Sequence, residues 1–277
     1  MNYNCIVDST EAIITNDDLS HMPSAILNRS YLKVSEDDFF LDVFDTAQYR
    51  VQSGNRVLIH PYEHSDESSV NLFLQSSVTA ALLHQRTMLP FHGNTFEFEG
   101  KGIAICGQCG SGKSSISAAF CQNGASLIND DISPVNVSDK DVTITSVNTR
   151  FKLWSDALMN LEIESNQLDR IRPMTNKFYL PSTDKPKTRQ KLNHIFILST
   201  HSKTDFIVNE LNGIDKYIIL HNCIYRKLYL RGMPPTEKIY LKQLFKIASS
   251  VKIAQIGRPY ACDIYDAMNV IRKEIIK

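Results

Sequence analysis

The feature that most restricts the fold is a glycine-rich run in the middle of the chain. Residues 107–114 read GQCGSGKS and match the spacing G-x-x-x-x-G-K-[ST]. The apolar run 103–106 before it predicts a buried strand, and residues 113 to about 123 predict a helix that ends at Gly124. A tight turn between a buried strand and a helix is typical of α/β folds. The sequence therefore predicts an α/β domain in which this turn, called the P-loop below, binds an anion.

Each residue type in the P-loop suits an anion. Glycines let the backbone turn tightly and approach a ligand without an intervening Cβ atom. Successive N–H groups and the positive end of the helix dipole then point at the anion. Lys113 adds a compact cation for the outer phosphates of a nucleotide, and the Ser114 hydroxyl suits Mg²⁺. The predicted nucleotide-binding residues are Gly107, Gln108, Cys109, Gly110, Ser111, Gly112, Lys113, Ser114 and Ser115.

Two adjacent carboxylates, Asp130 and Asp131, follow a predicted strand at residues 126–128. Neighbouring carboxylates repel each other unless a cation lies beside them. A nucleotide-bound Mg²⁺ is such a cation, and the second carboxylate is then free to orient or deprotonate a hydroxyl group. An ordinary acidic turn is the alternative interpretation of this pair.

A histidine, His92, precedes a strictly alternating segment at residues 95–99, which predicts a half-exposed strand. Residues 100–102 turn that strand back into the strand that leads to the P-loop. His92 is therefore a candidate for contact with a γ-phosphate across the hairpin. Its alternative role is that of a polar residue that caps the strand.

Together these features resemble the catalytic core of the HPr kinase/phosphorylase family, a bacterial group of P-loop serine kinases. The shared pattern covers residues 88–135 and needs no insertion. It consists of His92-Gly93, Gly100 and Gly102, the P-loop, Gly124 and Asp130-Asp131. The resemblance implies an α/β fold with a central mixed sheet and flanking helices, as in phosphoenolpyruvate carboxykinase.

The resemblance also implies a role for each matching residue. Lys113 and the loop amides would hold the β- and γ-phosphates of ATP. Ser114 and Asp131 would bind Mg²⁺. Asp130 would accept the proton of a serine hydroxyl, and His92 would support the phosphate and that aspartate.

The chain departs from the family pattern in two places. His92 lies too early to leave room for the long N-terminal regulatory domain, and we find no downstream glycine-arginine-asparagine signature. The departures favour the short kinases of lasso-peptide biosynthesis, which phosphorylate the C-terminal serine of a peptide. Residues 151–154 and 170–177 resemble the corresponding segments of that branch. Arg170, Arg172 and Lys177 are then candidate contacts for a triphosphate or a peptide carboxylate. A solvated basic face is the alternative, and core packing is the default role of Trp154.

The pattern along the chain predicts two parts, a small β-rich N-terminal unit at residues 1–75 and a P-loop kinase domain at residues 76–277. A hairpin is predicted at residues 48–59, a polar loop at 63–69 and a helix at 72–85. Further strands are predicted at 142–147, 194–199 and 206–211. Further helices are predicted at 155–163, 214–228 and 236–249, with a clear amphipathic helix from residue 264. Residues 181–191 predict an exposed, mobile loop.

Composition excludes several classes of protein. The 277 residues are 43% hydrophobic and 22% charged, which indicates a folded globular chain. The net charge is zero, so we expect no nucleic-acid partner. We find no apolar run long enough to span a membrane and no leader pattern, so we expect no membrane association and a cytoplasmic location. Cys106 and Cys109 have C-x-x-C spacing, but no second such pair follows, so we expect no zinc finger. Acidic side chains predominate before residue 100 and basic ones after it, which indicates either an anion-handling second unit or two solvated surfaces that dock.

Together with the family resemblance, the motifs predict an enzyme that uses ATP and Mg²⁺ to phosphorylate a serine of a peptide or small protein. A kinase acting on a phosphocarrier protein or a small molecule is one alternative. A non-catalytic ATP-binding module is another, although such a module has no need of His92, Asp130 and Asp131. Whether the chain forms a homo-oligomer is left open by the sequence.

Overall fold

The computed structural model describes residues 7–181 and 188–277. Its strands are β1 (Glu11–Ile14), β2 (Leu27–Arg29), β3 (Leu32–Val34), β4 (Asp38–Val43), β5 (Ala47–Gln52), β6 (Arg56–Pro61), β7 (Leu89–Phe98), β8 (Lys101–Gly107), β9 (Ser126–Asn129), β10 (Ile132–Val137), β11 (Val142–Thr145), β12 (Arg150–Trp154), β13 (Lys177–Pro181), β14 (Arg189–His201), β15 (Ile207–Glu210) and β16 (Lys252–Pro259). Its α-helices are α1 (Glu67–Phe73), α2 (Thr79–Gln85), α3 (Lys113–Gln122), α4 (Ser155–Asn160), α5 (Gly213–Asn222), α6 (Pro234–Ser250) and α7 (Ile264–Ile276).

The described residues fall into two compact units. The first contains the described residues up to Pro90 together with Ile171–Thr175 and Tyr225–Gln243. The second contains the described parts of Phe91–Arg170, Asn176–Ile224 and Leu244–Lys277. The sequence-based boundary after residue 75 remains a proposal, because it follows chain order whereas these units follow contacts.

The first unit contains a six-stranded sheet in the order β1-β6-β5-β4-β3-β2. The predicted hairpin is confirmed: β5 pairs antiparallel with β6, and alternate side chains such as Tyr49 and Ile59 are fully buried. The predicted helix at 72–85 is also confirmed, but it begins earlier. Asp66 accepts a hydrogen bond from the Ser69 N–H at 2.8 Å and caps α1, so the polar loop predicted for 63–69 is wrong from Glu67 onwards. A π-helical turn at Leu74–Val78 joins α1 to α2.

A histidine without solvent contact lies in the first unit. The ring of His84 is fully buried, with Nε2 3.0 Å from the Tyr225 carbonyl and Nδ1 3.2 Å from the Tyr240 hydroxyl. Burial lowers the pKa of His84 to about 4, because a charged ring would lose its hydration there.

This histidine should make stability depend on pH. In the unfolded chain His84 takes up a proton near pH 6.5, whereas in the folded chain it stays neutral down to about pH 4. The contribution of neutral His84 to the free energy of unfolding is therefore fully present above the unfolded pKa and is lost as the pH falls. The loss is about 2 kcal/mol between about pH 7.5 and about pH 5. Urea unfolding of the wild type and of His84→Gln at both pH values checks this. If the wild type and His84→Gln differ in free energy of unfolding by the same amount at both pH values, the prediction is contradicted.

The second unit is built on a mixed sheet in the order β11-β10-β7-β8-β14-β16-β15, with β9 on β7. At its centre β14 lies between β8 and β16 and is parallel to both, whereas β7 pairs antiparallel with β8. The mixed α/β class is thereby confirmed, as are the predicted strands β8 and β9 and the helix α3. Phe96, Phe120 and Ile271 are among the side chains that pack the sheet, α3 and α7 into one core.

Other predictions need correction. Strands β10, β12, β13 and β16 were not expected, and the helix predicted for 214–228 ends at Asn222, before a left-handed Arg226 with φ of 52°. The loop predicted for 181–191 is shorter in the described chain, because Pro181 ends β13 and Arg189 begins β14. Its residues 182–187 lie outside the described residues. Among the residues described, no helix has both the length and the apolar character required to cross a bilayer.

Candidate active site

The P-loop connects β8, at the centre of the mixed sheet, to the first turn of α3. Gly107, Gly110 and Gly112 have φ values of 149°, 80° and 96°, which L side chains rarely adopt. A Cβ on Gly107 would also lie 2.5 Å from the Leu198 carbonyl oxygen, so this glycine is required by packing as well as by conformation. These residues therefore make the tight turn for which the sequence analysis required glycine.

Lys113 is the first residue of α3, and its side chain is held against the loop. The Nζ atom donates hydrogen bonds to the carbonyls of Gly107, at 2.9 Å, and Gln108, at 3.0 Å. Burial lowers the pKa of Lys113 below its ordinary value, although nearby anionic groups, Asp131 among them, oppose the shift. A partly desolvated cation at a helix N-terminus attracts an anion strongly.

Arg258, at the end of β16, supports the other side of the loop. Its Nε donates to the Ser111 carbonyl at 2.8 Å, and its guanidinium lies against Gly112. Sequence analysis missed this residue because β16 itself was not predicted. A basic residue at the end of a strand parallel to β8 is the signal that could have indicated it.

Asp130 is buried directly beneath the start of α3. Its Oδ1 accepts hydrogen bonds from the Ser114 hydroxyl, at 3.0 Å, and from the Asn94 amide, and its Oδ2 accepts the Lys152 N–H at 3.0 Å. Only 1% of its surface is exposed. Burial, followed by the charge of Asp131, raises the pKa of Asp130 above its ordinary value.

Asp131 points in a different direction from its neighbour because its backbone is left-handed, with φ of 71°. A non-glycine residue in this conformation is strained, and the bond from the Gly93 N–H to the Asp131 carbonyl, at 3.1 Å, helps to hold it. The carboxylate is 30% exposed and faces His92, with Nδ1 at 3.4 Å from Oδ1, and Lys152, with Nζ at 3.7 Å from Oδ2. The turn thus separates two consecutive carboxylates into one buried and one open group.

The charge around Asp131 keeps it ionised. Burial alone would raise the pKa of Asp131, but Lys152, His92, Lys177 and Lys113 together outweigh burial and lower it below the ordinary value. Lys152 was not predicted as a site residue, although only 4% of its side chain is exposed. A lysine between the apolar residues of a strand is a weak signal, because sequence alone does not show which face of that strand is buried.

These groups surround a cavity of about 370 Å³ in the second unit. Among the predicted residues, the cavity brings together His92, Asp131, Lys177 and, from the P-loop region, Cys109, Gly110, Gly112, Lys113, Ser114 and Ser115. Gly107, Gln108, Ser111 and Asp130 lie in or beneath the loop and do not line it. Arg170 donates to Asn176 at 2.8 Å and lies outside the lining, and Arg172 belongs to the first unit. Of the three predicted cations, only Lys177 lines the cavity.

One wall of the cavity is a two-stranded ribbon formed by β12 and β13. The register places Lys152 opposite Tyr179 and Trp154 opposite Lys177, so these four side chains share one face. Lys152, Trp154 and Lys177 line the cavity, and the Lys177 ammonium lies 5.7 Å from the centre of the Trp154 ring. Trp154 is 53% exposed, so its default assignment to the core is wrong: Phe151 and Leu153 occupy the core face instead.

The residues at the start of α3 fit a hard cation. Ser114 Oγ and Asp130 Oδ1 are 3.0 Å apart, and oxygen atoms of hydroxyl and carboxylate groups are the ligands that Mg²⁺ takes in proteins. Asn94 lies beside both atoms.

The exposed thiol of Cys109 provides a test of the loop. Cys109 is exposed and lines the cavity, whereas Cys106, three residues earlier in the chain, is fully buried in β8. Alkylation of Cys109 should therefore place a bulky group where phosphates would bind and lower ATP affinity at least about tenfold. Calorimetry before and after alkylation measures this, with Cys109→Ser as the control that keeps its affinity. Unchanged affinity after complete modification contradicts the assigned loop.

Comparison with known proteins leaves the family unassigned. No protein-family model matches the sequence, and no curated protein matches it. Among solved structures, the chain is similar to the Hpr(Ser) kinase/phosphatase from Coxiella burnetii, with 10% sequence identity and a TM-score of 0.35 over 68% of this chain and 90% of that chain. Similarity at this level assigns neither family nor activity.

Proposed function

We propose that this protein is an ATP-dependent phosphotransferase that acts on a serine hydroxyl of a peptide or small protein, with a core of the HPr kinase type. The observation that carries the proposal is the position of Asp131. Its open carboxylate lines the same cavity as Lys113 and the N-terminus of α3, and two basic side chains flank it. An anion site beside an ionised carboxylate is the arrangement that phosphoryl transfer requires.

The P-loop supports binding of the triphosphate. Lys113 would exchange its two bonds to loop carbonyls for bonds to the β- and γ-phosphates, while the loop N–H groups and the helix dipole hold the remaining charge. Arg258 would keep the loop in place through Ser111. Mg²⁺, when bound at Ser114 and Asp130, supplies further neutralisation of the phosphate charge.

We assign the two aspartates opposite roles from those implied by the family resemblance. Asp130 is buried and already bonded to Ser114, so it suits the cation site. Asp131 is open to the cavity and suits the acceptor hydroxyl. Its low pKa makes it a weak base, so its main contribution is to orient the hydroxyl and to receive its proton as transfer proceeds.

In the proposed transfer, one P–O bond breaks and another forms inside the cavity. The bond between the γ-phosphorus and the oxygen that bridges to the β-phosphate breaks, and a bond to the serine oxygen forms. The serine proton passes to Asp131 and then to solvent, and ADP leaves. His92 and Lys152 would hold the Asp131 carboxylate in position and offset charge on the transferred group.

The ribbon face suggests what the acceptor carries. Lys152 and Lys177 place two cations beside Asp131, and Trp154 adds an exposed aromatic surface. An acceptor hydroxyl with an adjacent carboxylate complements this face. We therefore propose that the acceptor is the C-terminal serine of a lasso-peptide precursor. A phosphocarrier protein or a small hydroxy acid is the second candidate, because the same two cations would serve it.

Labelled ATP tests the proposal. The protein is incubated with γ-labelled ATP, Mg²⁺ and four acceptors: a peptide ending in serine, its C-terminal amide, free serine and a small phosphocarrier protein. We expect label on the serine of the free-acid peptide, located by mass spectrometry, and less on the amide. ATP binding with no labelled acceptor would instead support a non-catalytic binding module. Failure to bind ATP would overturn the proposal.

A further inference from the structure

Asn94 lies on β7, two residues after His92, and therefore shares its face of the strand. It is fully buried, pairs with Ile105 of β8 and lines the cavity. Its amide nitrogen donates to Asp130 Oδ1 and, at 3.3 Å, to Ser114 Oγ. Asn94 thus contacts both residues that the proposed cation site uses.

The amide oxygen of Asn94 has no hydrogen-bond partner among the described residues, although it is buried. Asn129, on the neighbouring strand β9, shows the contrast. Its oxygen accepts the N–H groups of Val147, at 2.7 Å, and Asn148, at 3.2 Å, and its nitrogen donates to Thr95 and Thr145. An unsatisfied buried carbonyl is costly, so a packing role alone does not explain an asparagine at position 94.

We infer that Asn94 supplies the third oxygen of a divalent-cation site, together with Ser114 Oγ and the Asp130 carboxylate. The oxygen would bind the cation directly or through one of the waters that Mg²⁺ retains. Its amide nitrogen meanwhile holds the Asp130 carboxylate in place. This inference rests on the proposed function, because the cation is the one that accompanies ATP.

Metal binding tests the inference without any turnover. Mn²⁺ is titrated into the protein in the presence of saturating ADP, and free Mn²⁺ is followed by electron paramagnetic resonance. We expect Asn94→Ala to weaken Mn²⁺ binding about 10- to 100-fold. ADP affinity measured in EDTA should stay within about twofold of the wild type, because the hydrogen bonds of Asn94 go to Asp130 and Ser114, and without the cation the loop N–H groups and Lys113 would hold the phosphates.

Two further variants separate ligation from folding. Asn94→Asp keeps an oxygen but places a second carboxylate beside Asp130, so its melting temperature in EDTA should fall and Mn²⁺ should restore it. Asn129→Ala removes a buried asparagine whose amide oxygen and nitrogen both have hydrogen-bond partners within the protein. This control should lower the melting temperature and leave the Mn²⁺ affinity of the folded protein unchanged.

The outcomes distinguish the inference from the proposed function. A wild type that binds neither ADP nor Mn²⁺ overturns the proposed function and the inference with it. A wild type that binds both, with an Asn94→Ala variant of equal Mn²⁺ affinity, overturns the inference alone. If Asn129→Ala loses as much Mn²⁺ affinity as Asn94→Ala, the inference is also overturned, because a general loss of packing would then explain the weaker binding in both variants.

Discussion

Replacement of Asp131 by asparagine is expected to slow phosphoryl transfer about 10²- to 10⁴-fold while ATP affinity changes little. The asparagine side chain keeps the shape of the aspartate and tolerates the left-handed backbone, but it lacks the charge that orients a hydroxyl and receives its proton. The labelled-ATP assay gives the rate, and calorimetry gives the affinity for ATP. A fall in the rate without a fall in affinity is the signature of a group that acts on the acceptor.

Asp130→Asn is the matched variant on the same turn. Because Asp130 is buried against Ser114, its loss should weaken binding of Mg²⁺ and lower the transfer rate together, and excess Mg²⁺ should restore part of the rate. Excess Mg²⁺ should not restore the rate of Asp131→Asn. If instead Asp130→Asn loses transfer at every Mg²⁺ concentration and Asp131→Asn keeps it, the roles implied by the family resemblance are correct and ours are reversed.

Lys113→Met is expected to lower the transfer rate about 10²- to 10³-fold and to weaken ATP binding as well. Methionine keeps the apolar stem of the side chain but removes the cation that would contact the outer phosphates. Because burial already disfavours the charge of Lys113, the folded protein should lose little stability. Fluorescence titration with a labelled ATP analogue and the labelled-ATP assay measure the two effects.

The control for this change is Lys140→Met, which removes an exposed lysine outside the cavity lining. It should leave both the rate and the affinity within about twofold of the wild type, because an exposed charge outside the site is screened by solvent. Equal ATP affinities in Lys113→Met and the wild type would show that the loop does not hold the phosphates. A lowered melting temperature in Lys113→Met alone would not explain a loss of affinity measured on folded protein.

Local patterns correctly predicted one strand–turn–helix segment of the second unit. The strand before the P-loop, the loop glycines and the helix after it are consecutive in the chain, so the spacing of residue types within one short segment indicates all three. Asp130 and Asp131 follow the strand β9 in the same way, and the sequence indicated both. It did not indicate that a left-handed turn buries one and exposes the other.

In the ribbon, the sequence pattern does not determine which face of a strand is buried. Its strand β12 has the alternating sequence RFKLW, yet the pattern does not say which face the lysine occupies. Only the pairing of β12 with β13 and the packing of Phe151 and Leu153 into the core place Lys152 and Trp154 on the cavity side. The default assignment of Trp154 to the core failed for this reason.

By itself, the sequence determined the glycine-rich loop, the two carboxylates and the α/β class, because each depends on residue types at short, regular spacings. The tertiary structure decided which side chains meet that loop. Asn94 and Arg258 come from β7 and β16 of the mixed sheet, whereas Lys152 comes from β12 of the separate two-stranded ribbon, and the packing of these strands brings all three side chains to the cavity beside the loop. Contacts between residues so distant in the chain depend on how whole strands pack, and the spacing of residues within one segment does not determine that packing.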